Sequence, residues 1–300
     1  MAPNDRPQLE PGAVPAVAMR APAKLNLYLH VVGRRSDGYH LLDSLVAFAD
    51  IADEIVAAPA DALSLDIAGP FAAALDADKE QNLVWRAAML LARHLGRPPG
   101  AALTLTKNLP VASGIGGGSS DAAAALRALA ALWEARLDAS EIAAIAAALG
   151  ADVPVCLAAR TSWLGGIGEQ VEDAPALPPL AVVLANPGVA LPTAAVFKRR
   201  TGPFSQAARF ADAPRSATEL VALLARTRND LAASAIALVP TIATVLDALA
   251  AANGALLARM SGSGATCFAL FAGDHQAAAA AEILRAQYPA WWIAAGRLLP

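Results

Sequence analysis

Alternating apolar and polar residues predict the first strand of the chain. Residues 24–31 read KLNLYLHV, in which the odd-numbered positions from 25 to 31 are aliphatic and alternate with Lys24, Asn26, Tyr28 and His30. A period of two residues is typical of a half-buried β-strand. We therefore expect the aliphatic side chains to face a hydrophobic core, while the opposite face presents its polar groups to a cleft.

Similar patterns predict a mixture of strands and helices along the rest of the chain. Short apolar or alternating segments predict strands at 63–67, 102–106, 180–185 and 266–271. Apolar stripes and end signals predict helices from Asn82 to Gly96, after the glycines at 116–118, from 138 to 150, from about 234 to 251 and from about 275 to 286. Asp138 and Glu141 resemble a capping box, and Pro154 stops any continuation of the helix before it. Strands intermixed with helices favour an α+β architecture.

The length and one proline-rich segment indicate two domains. At roughly 150 residues per domain, a chain of 300 residues is long enough to form two cores. The segment EDAPALPP at 172–179 favours turns and is followed by a new apolar strand. We therefore predict an N-terminal domain over residues 1–175 and a C-terminal domain over residues 176–300, with residues 1–15 forming a frayed tail.

Composition and charge narrow the classes of partner. Hydrophobic residues make up 56% of the chain and charged residues 16%, a balance that favours a globular fold over disorder. The net charge of −3 creates no overall field that would attract nucleic acid or an anionic membrane, so we expect neither as a partner. A small anionic substrate remains compatible with local charges.

Cysteine usage and the N-terminal residues predict a reducing, cytoplasmic location. Cys156 and Cys267 are far apart in the sequence, which suggests neither a disulfide framework nor a metal or redox pair. The N-terminus lacks the apolar region of a signal peptide, and the chain has no run of about 18 apolar residues that could span a membrane. The four histidines do not have the paired spacing of a zinc site.

A glycine-rich segment is the strongest candidate for a ligand site. Residues 114–120 read GIGGGSS and lead from a predicted strand into a helix. At such a junction, backbone N–H groups and the positive end of the helix dipole converge where no large side chain obstructs an anion, and Ser119 and Ser120 can add hydroxyl donors. A flexible turn is the competing interpretation. The segment lacks the lysine of a Walker A loop, and Ser119 occupies the third glycine position of a dinucleotide-binding fingerprint.

Two charged residues could serve phosphoryl transfer. Asp152 follows a predicted helix, and Lys24 opens the first strand. A carboxylate can accept the proton of an attacking hydroxyl, and an ammonium can face the transferred phosphate. A turn aspartate and a strand-edge lysine are the competing interpretations. The second glycine-rich segment, residues 261–264, is compatible with a tight turn or a phosphate contact, and the basic residues at 34–35 and 198–200 are interpreted as solvated loop charges.

Three segments, in this order and with these separations, resemble the three motifs of the GHMP kinase superfamily: PAKLNLYLHVVGRRSDGYH, LPVASGIGGGSSDAAA and SGSGATCFALF. The resemblance covers about residues 21–273. It implies an α+β, two-domain GHMP kinase fold, with an N-terminal ribosomal-protein-S5-domain-2-like α/β domain, a C-terminal ferredoxin-like α+β domain and an active site in the cleft between them. It also implies a kinase that uses ATP, with Mg²⁺ bound mainly through the nucleotide phosphates. The opening segment is similar to superfamily members of the non-mevalonate pathway of isoprenoid biosynthesis, which implies an acceptor that carries cytidine diphosphate and is phosphorylated on its 2-hydroxyl.

The same resemblance implies a role for each matching residue. Asp152 corresponds to the catalytic base, and Lys24 corresponds to the residue that orients the hydroxyl and stabilises charge. The ATP phosphate loop corresponds to Pro110, Val111, Ala112, Ser113, Gly114, Ile115, Gly116, Gly117, Gly118, Ser119 and Ser120. The substrate-binding positions correspond to Asn26, Tyr39, His40, Thr193 and Phe197. Tyr39 and Phe197 are expected to sandwich the cytosine while His40 contacts the edge of the base.

The chain departs from the family pattern at two places, and three alternatives stay open. Residues 229–231 read NDL and are followed by Ala232, where the family usually has glutamate, and the N-terminal tail is longer than usual. We expect a monomer or a weak homodimer. The alternatives are a kinase of the same fold that acts on another small alcohol, a nucleotide-binding sensor without turnover, and a nicotinamide-dependent oxidoreductase.

Overall fold

The computed structural model describes residues 15–75 and 78–300. Over these residues the strands are β1 (Val17–Arg34), β2 (His40–Ala58), β3 (Ser64–Ala68), β4 (Ala102–Thr106), β5 (Ser162–Gly165), β6 (Gln170–Asp173), β7 (Ala181–Asn186), β8 (Ala255–Met260), β9 (Cys267–Phe271) and β10 (Trp292–Arg297). The helices are α1 (Leu83–His94), α2 (Gly117–Leu132), α3 (Ala139–Leu149), α4 (Val153–Ala158), α5 (Thr193–Arg199), α6 (Ala217–Leu224), α7 (Ala232–Leu238), α8 (Thr241–Ala250) and α9 (Asp274–Gln287).

The first sheet contains β1 to β6 and is organised by the long strand β2. Its strands follow the order β3-β4-β2-β5-β6, and β1 pairs with β2 in an antiparallel ladder. Because β2 has 19 residues, its residues 44–46 pair with β5 while its residues 54–58 pair with β4. Helices α1 to α4 share one hydrophobic cluster with this sheet. The first half of the chain is thus a layer of helices against a twisted mixed sheet.

The second sheet follows the order β10-β7-β9-β8 and is antiparallel throughout. Helices α8 and α9 pack on one face of it around a second hydrophobic cluster. Together, these strands and two helices form the expected ferredoxin-like arrangement, and the α+β fold class is confirmed. The first sheet ends at Asp173 and the second begins at Ala181, and the boundary at residue 175 stays a prediction.

The apolar run in β7 is explained by burial on both faces of its sheet. Val182 and Leu184 enter a cluster that includes residues of both sheets, whereas Ala181 and Val183 enter the cluster beneath α8 and α9. A strand that is buried on both faces needs apolar residues at every position and shows no alternation. The strand predicted at 180–185 is therefore confirmed, although each of its observed bounds lies one residue further along the chain.

The strand predicted at 24–31 is confirmed, but the prediction that it is half-buried is wrong. Every residue from 21 to 31 of β1 is buried. One edge of β1 pairs with β2, and segments from the second half of the chain cover the other edge. Leu29 exchanges backbone hydrogen bonds with Arg228 and Asp230, at 3.0 and 2.8 Å, and Val31 N donates to the Asp230 carboxylate at 2.8 Å. The polar face of β1 is consequently enclosed between the two halves of the molecule.

A bulge in β1 also divides its aliphatic side chains between two cores. The ladder shifts register between Asn26 and Tyr28. The residues at 25 and 27 therefore pack in the cluster between the sheets, whereas those at 29 and 31 pack in the cluster beneath α8 and α9. A bulge reverses the alternation beyond it, so the expectation of a single aliphatic face fails at this point.

The residues predicted to cap helices are confirmed in the first half of the chain, whereas one helix boundary in the second half was not predicted. Asn82 caps α1 by accepting a hydrogen bond from Val84 N at 2.9 Å, and Asp138 forms the predicted capping box of α3. The single helix predicted from 234 to 251 is wrong, because α7 ends at Leu238 and α8 begins after Pro240. Proline lacks an N–H group and restricts the residue before it. Pro154 does not end α3, which stops at Leu149. It lies instead in the first turn of the next helix, α4, where proline is tolerated.

The sequence patterns did not predict every element of the structure. The strands β2, β5, β6, β8 and β10 and the helices α4 to α6 were not predicted. β5 and β6 have only four residues each, and β2 contains seven consecutive buried residues, so these segments carry no clear period. Cys156 and Cys267 are buried free thiols, which confirms that they form no disulfide. Of the predicted frayed tail, residues 1–14 lie outside the described residues. Among the helices described, none has both the length and the apolar character needed to cross a membrane.

Candidate active site

A continuous cleft runs between the two halves of the molecule. Its inner part is a cavity of about 660 Å³, lined by the glycine-rich segment on one side and by residues of the second half, such as Leu191 and Ser263, on the other. Its outer part, of about 720 Å³, lies beside the turn between β1 and β2. Leu42, Thr193 and Phe197 line both parts. Ligands in the two parts would therefore be neighbours.

The glycine-rich segment forms a cradle for an anion at the start of α2. This helix has 16 residues, and no side chain caps its N-terminus at Gly116. The first N–H groups of a helix have no partner within the helix, so together with the helix dipole they favour an anion here. Gly116 has φ +64°, and a Cβ atom there would lie 3.2 Å from Cβ and Cε of Lys24. Glycine at this position lets Lys24 approach the cradle closely.

Nine of the eleven residues expected in the phosphate loop line the inner cavity, and Ile115 and Ser120 do not. Ile115 is buried in the core, where its carbonyl oxygen accepts a hydrogen bond from Lys24 N at 2.9 Å. The Ser120 hydroxyl donates to Pro22 O at 2.6 Å and is directed into the protein. The expectation of two hydroxyl donors in the cavity therefore fails for Ser120, whereas Ser119 lines the cavity.

The second glycine-rich segment packs directly against the first. Gly114 has φ +78°, and a Cβ atom there would lie 2.6 Å from Ser261 O and 2.7 Å from Gly264 N. The Ser261 hydroxyl donates to Gly114 O at 3.0 Å. This segment is thus a tight turn into β9, and it also contributes Ser263 to the lining of the inner cavity.

Lys24 and Asp152 meet in the inner cavity, with 2.7 Å between Nζ and Oδ1. Lys24 is fixed by β1, and Asp152 directly precedes α4 without capping it through its side chain. The lysine side chain is 6% exposed and the aspartate side chain is 42% exposed. The carboxylate can therefore be reached from the cleft while the ammonium is held in place. This is an arrangement in which one group can accept a proton and the other can stabilise negative charge.

Asn26 and Thr193 place further polar groups along the cleft. The Asn26 amide donates to Ser44 Oγ at 2.9 Å, and its own backbone N–H donates to Ser261 Oγ at 3.2 Å. Its Oδ1 atom is buried and has no hydrogen-bond partner among the described residues. Across the cleft, the hydroxyls of Thr193 and Ser263 are 2.9 Å apart. Both predicted positions therefore line the cavity that contains the ion pair.

Two of the three residues expected to bind the base are in direct contact. His40 stacks on Phe197, with 5.3 Å between the ring centroids and 26° between the ring planes. Tyr39 is 60% exposed in the turn between β1 and β2 and does not stack on Phe197. His40 covers the apolar face of Phe197 because it is the residue that enters β2, whereas Tyr39 precedes the strand. All three residues nevertheless line the outer cavity.

Three of the basic residues interpreted as solvated loop charges lie at the same outer cavity. Arg34, Lys198 and Arg200 line it, and none of them forms an ion pair with a residue that the structure describes. Burial lowers the pKa of His40, and the charges of Arg34 and Arg200 lower it further. His40 is consequently held in its neutral form, which can both donate and accept a hydrogen bond.

A buried charge cluster beneath the phosphate loop was missed from the sequence. Lys107 Nζ lies 2.5 Å from Asp53 Oδ2 and 2.6 Å from Asp121 Oδ2, and all three side chains are almost fully buried. Lys107, a short way before the glycine-rich segment, and Asp121, within the alanine-rich helix, were visible signals. Asp53 comes from β2, far away in the sequence, and only the fold brings it there.

The NDL segment connects the two halves, and Ala232 follows it at the start of α7. The Asn229 amide donates to Met260 O and Gly262 O, both at 2.8 Å. Asp230 accepts hydrogen bonds from β1 and from Ser205 Oγ, the latter at 2.7 Å. Nothing in the structure assigns a role to the glutamate that the family usually has at position 232.

Models of two protein families match the chain. The model described as GHMP kinases N terminal domain matches residues 82–160, and the model described as GHMP kinases C terminal matches residues 211–290. The first match contains the glycine-rich segment and Asp152. The second contains the NDL segment and the turn that packs against Gly114.

Curated relatives and a solved structure match nearly the whole chain. A 4-diphosphocytidyl-2-C-methyl-D-erythritol kinase of Paramagnetospirillum magneticum is 54% identical over 94% of this chain and 98% of its own length. One of Cereibacter sphaeroides is 56% identical over 93% of this chain and 98% of its own length. A crystal structure of 4-(cytidine 5'-diphospho)-2C-methyl-D-erythritol kinase is 36% identical, with a TM-score of 0.78 over 94% of this chain and 99% of that chain. The chain therefore belongs to the GHMP kinases and, within them, to the family of 4-diphosphocytidyl-2-C-methyl-D-erythritol kinases.

Proposed function

We propose that this chain transfers the γ-phosphoryl group of ATP to the 2-hydroxyl of 4-diphosphocytidyl-2-C-methyl-D-erythritol in the non-mevalonate pathway. One observation carries the proposal: the ion pair of Lys24 and Asp152 lies in the cavity formed by the phosphate loop, next to the cavity that contains Tyr39, His40 and Phe197. A phosphate donor on the loop and an acceptor in the outer cavity would meet at this pair.

The inner cavity suits the triphosphate of ATP. The loop residues from Val111 to Ser119 that line it offer backbone N–H groups, and the start of α2 adds a favourable dipole. Among the described residues, no group of three His, Cys, Asp or Glu side chains is placed to hold a metal ion. This fits Mg²⁺ that is held mainly by the nucleotide phosphates. When bound there, Mg²⁺ would neutralise charge on the phosphates.

The outer cavity suits a cytidine diphosphate group. Phe197 offers an aromatic face for the base, and neutral His40 can donate to and accept from its edge once it leaves that face. Tyr39 is free to close over the other side of the base. The unpaired cations Arg34, Lys198 and Arg200 would face the diphosphate, which needs charge-assisted donors.

The proposed chemistry assigns one role to each member of the ion pair. Asp152 accepts the proton of the acceptor hydroxyl as its oxygen forms a bond to the γ-phosphorus of ATP. The bond from that phosphorus to the bridging oxygen breaks, and ADP leaves with the electron pair. Lys24 holds the carboxylate at 2.7 Å and offsets the charge that develops on the transferred group. Asn26 lines the same cavity and would contact the acceptor.

A direct transfer assay tests the proposal. The chain is incubated with ATP, Mg²⁺ and 4-diphosphocytidyl-2-C-methyl-D-erythritol, and the phosphorylated product is followed by mass. We expect product with this acceptor and none with homoserine or mevalonate at the same concentration. Transfer to another alcohol would favour a kinase of different specificity, and nucleotide binding without transfer to any acceptor would favour a sensor.

Replacing Lys198 with glutamine is expected to raise KM for the acceptor about tenfold while KM for ATP stays unchanged. The lysine lines only the outer cavity and has no ion pair among the described residues, so its removal affects the proposed diphosphate contact alone. One charge-assisted contact of about 1.4 kcal/mol corresponds to a factor of ten. Steady-state kinetics with each substrate varied in turn measures both constants.

Arg215→Gln provides the matched control, since Arg215 has a side chain that is 91% exposed and pairs only with its helix neighbour Glu219. We expect it to leave both constants unchanged. Equal effects of the two substitutions would contradict a local role for Lys198. A cytoplasmic location and a monomer or weak homodimer stay predictions.

A further inference from the structure

The charge cluster beneath the phosphate loop contains two carboxylates and one ammonium. Asp53, Lys107 and Asp121 are 1%, 1% and 3% exposed. With all three groups ionised, the cluster carries a net charge of −1 in a region that excludes water. A buried net charge is unfavourable, and such sites reduce it by binding a proton or a counter-ion.

The two carboxylates of the cluster are not equivalent. Asp53 accepts hydrogen bonds from Asn108 N at 2.5 Å and Leu109 N at 2.8 Å in addition to its contact with Lys107. Asp121 contacts Lys107 and the side chain of Asp53 but accepts no hydrogen bond from a backbone N–H among the described residues, and its Oδ1 atom has no partner there. Hydrogen-bond donors stabilise a carboxylate, and Asp121 has fewer of them than Asp53, so Asp121 is the better site for a proton.

The pKa shifts of Asp121 and Lys107 agree with this geometry. Burial and the nearby charge of Asp53 raise the pKa of Asp121 to about 8, although Lys107 opposes the rise. Burial opposes the charged form of Lys107, but the two carboxylates prevail and raise its pKa. The ammonium therefore stays charged, while Asp121 is the group that exchanges a proton near pH 8.

The cluster lies directly below the site proposed for the nucleotide phosphates. A Cβ atom at Gly117, the first residue of α2, would lie 3.0 Å from Lys107 Nζ and 3.7 Å from Asp53 Oδ2. Lys107 and Asp121 also line the inner cavity. Charges this close together interact strongly when water is excluded. Phosphates bound at the loop would repel an ionised Asp121.

The charged groups that face Asp121 or line its cavity come from the neighbouring elements. From β2 it faces Asp53, and from the segment after β4 it faces Lys107. Lys24 from β1 and Asp152 before α4 line the same cavity but are paired with each other. Asp78 lines the cavity near α1, while the charged residues of α1 itself lie on its exposed side.

We propose that Asp121 is a proton-holding residue of the nucleotide site, taking up a proton when anionic phosphates bind at the loop and releasing it when they leave. The inference rests on the proposed function, because it requires a nucleotide at this loop. A neighbouring anion disfavours the ionised carboxylate further. Below about pH 8, Asp121 is protonated with or without the nucleotide, so affinity is independent of pH. Above about pH 8, only the bound state keeps the proton, so affinity falls as pH rises, by at most about tenfold per pH unit.

Calorimetric titration of the full chain with Mg²⁺–ADP tests the coupling. The titrations run at about pH 7, 8 and 9, above the range in which the nucleotide phosphates themselves titrate near pH 6. Buffers of different ionisation enthalpy report the number of protons taken up. We expect Kd to rise about five- to tenfold between pH 8 and pH 9, with proton uptake at pH 9 and almost none at pH 7.

Two substitutions separate Asp121 from other titrating groups. Asp121→Asn keeps the size of the side chain but cannot bind the proton, so we expect a Kd that is constant from pH 8 to pH 9 and no proton uptake. Asp173→Asn removes an exposed carboxylate paired with Arg160, and we expect it to retain the full pH dependence.

Each result decides the proposal. A pH-independent Kd in the unaltered chain would overturn it, and this measurement does not depend on the folding of a variant. Retained proton uptake in Asp121→Asn would overturn it as well. If the unaltered chain bound no ADP at any pH, the proposed function itself would fall, and the inference with it. Binding without proton uptake would overturn the inference alone.

Discussion

Asp152→Asn is expected to lower kcat about 10²- to 10⁴-fold, the usual contribution of a general base. The amide keeps the shape of the side chain but cannot accept the hydroxyl proton. It also leaves Lys24 without the carboxylate that lies 2.7 Å away. Because the Asp152 side chain is 42% exposed, we expect the fold to tolerate the change. Nucleotide affinity should stay within about twofold of the unaltered chain, since the phosphate loop is formed by other residues.

The test of Asp152 combines kinetics with binding. Steady-state assays give kcat and both KM values, and calorimetry gives the affinity for ADP. Glu172→Gln is a suitable control, because it removes a half-exposed carboxylate that pairs with Arg209 outside the cleft. Near-normal turnover in Asp152→Asn would exclude Asp152 as the base. Loss of both turnover and nucleotide binding would point to damage to the fold instead of to the chemistry.

Gly114→Ala is expected to destabilise the protein by about 3 kcal/mol or more. The left-handed conformation, with φ +78°, costs an alanine about 1–2 kcal/mol. The added Cβ would also lie 2.6 Å from Ser261 O, where the obstacle is backbone that belongs to the other half of the molecule. Relief would require the two glycine-rich segments to separate. The melting temperature should fall by roughly 6–12 °C, and KM for ATP should rise because the phosphate loop is displaced.

Gly118→Ala is the matched control for stability. It lies in the same segment, has no positive φ, and its Cβ would meet only Leu83 Cδ1 at 3.8 Å, an ordinary contact. We expect its melting temperature to change by no more than about 2 °C. Thermal unfolding followed by circular dichroism compares the two variants. If both melted at the temperature of the unaltered chain, the close contact between the glycine-rich segments would not contribute to stability.

The strand β1 carries residues proposed for catalysis and acceptor binding, and it also holds the two halves of the molecule together. Its first edge pairs with β2, and its second edge is covered by residues 228–230 and by the turn at Ser261. An uncovered strand edge would expose backbone hydrogen-bonding groups. Covering it with the second half of the chain encloses Lys24 and Asn26 in a cleft. The same contacts that hold the two halves together therefore position the residues proposed for catalysis and acceptor binding.

The sequence determined local structure wherever the physical cause was local. The side chains that cap α1 and α3, Asn82 and Asp138, satisfy N–H groups only a few residues away, so their patterns could be read directly. The glycine-rich segment and its helix were identified for the same reason. The three motifs, taken together, also identified the superfamily, because their order and spacing are preserved along the chain.

Which distant residues meet depends on the tertiary structure. It brought Asp152 to Lys24 and placed Asp53 beneath a loop that begins more than 50 residues later. It also buried both faces of β1, which no periodic pattern could show because the second face is covered by residues from the other end of the chain. Alternation records the burial of one face, whereas contacts between the two halves depend on how the sheets pack. The family and the local elements could therefore be predicted from the sequence, whereas the geometry of the cleft depends on how the two halves pack.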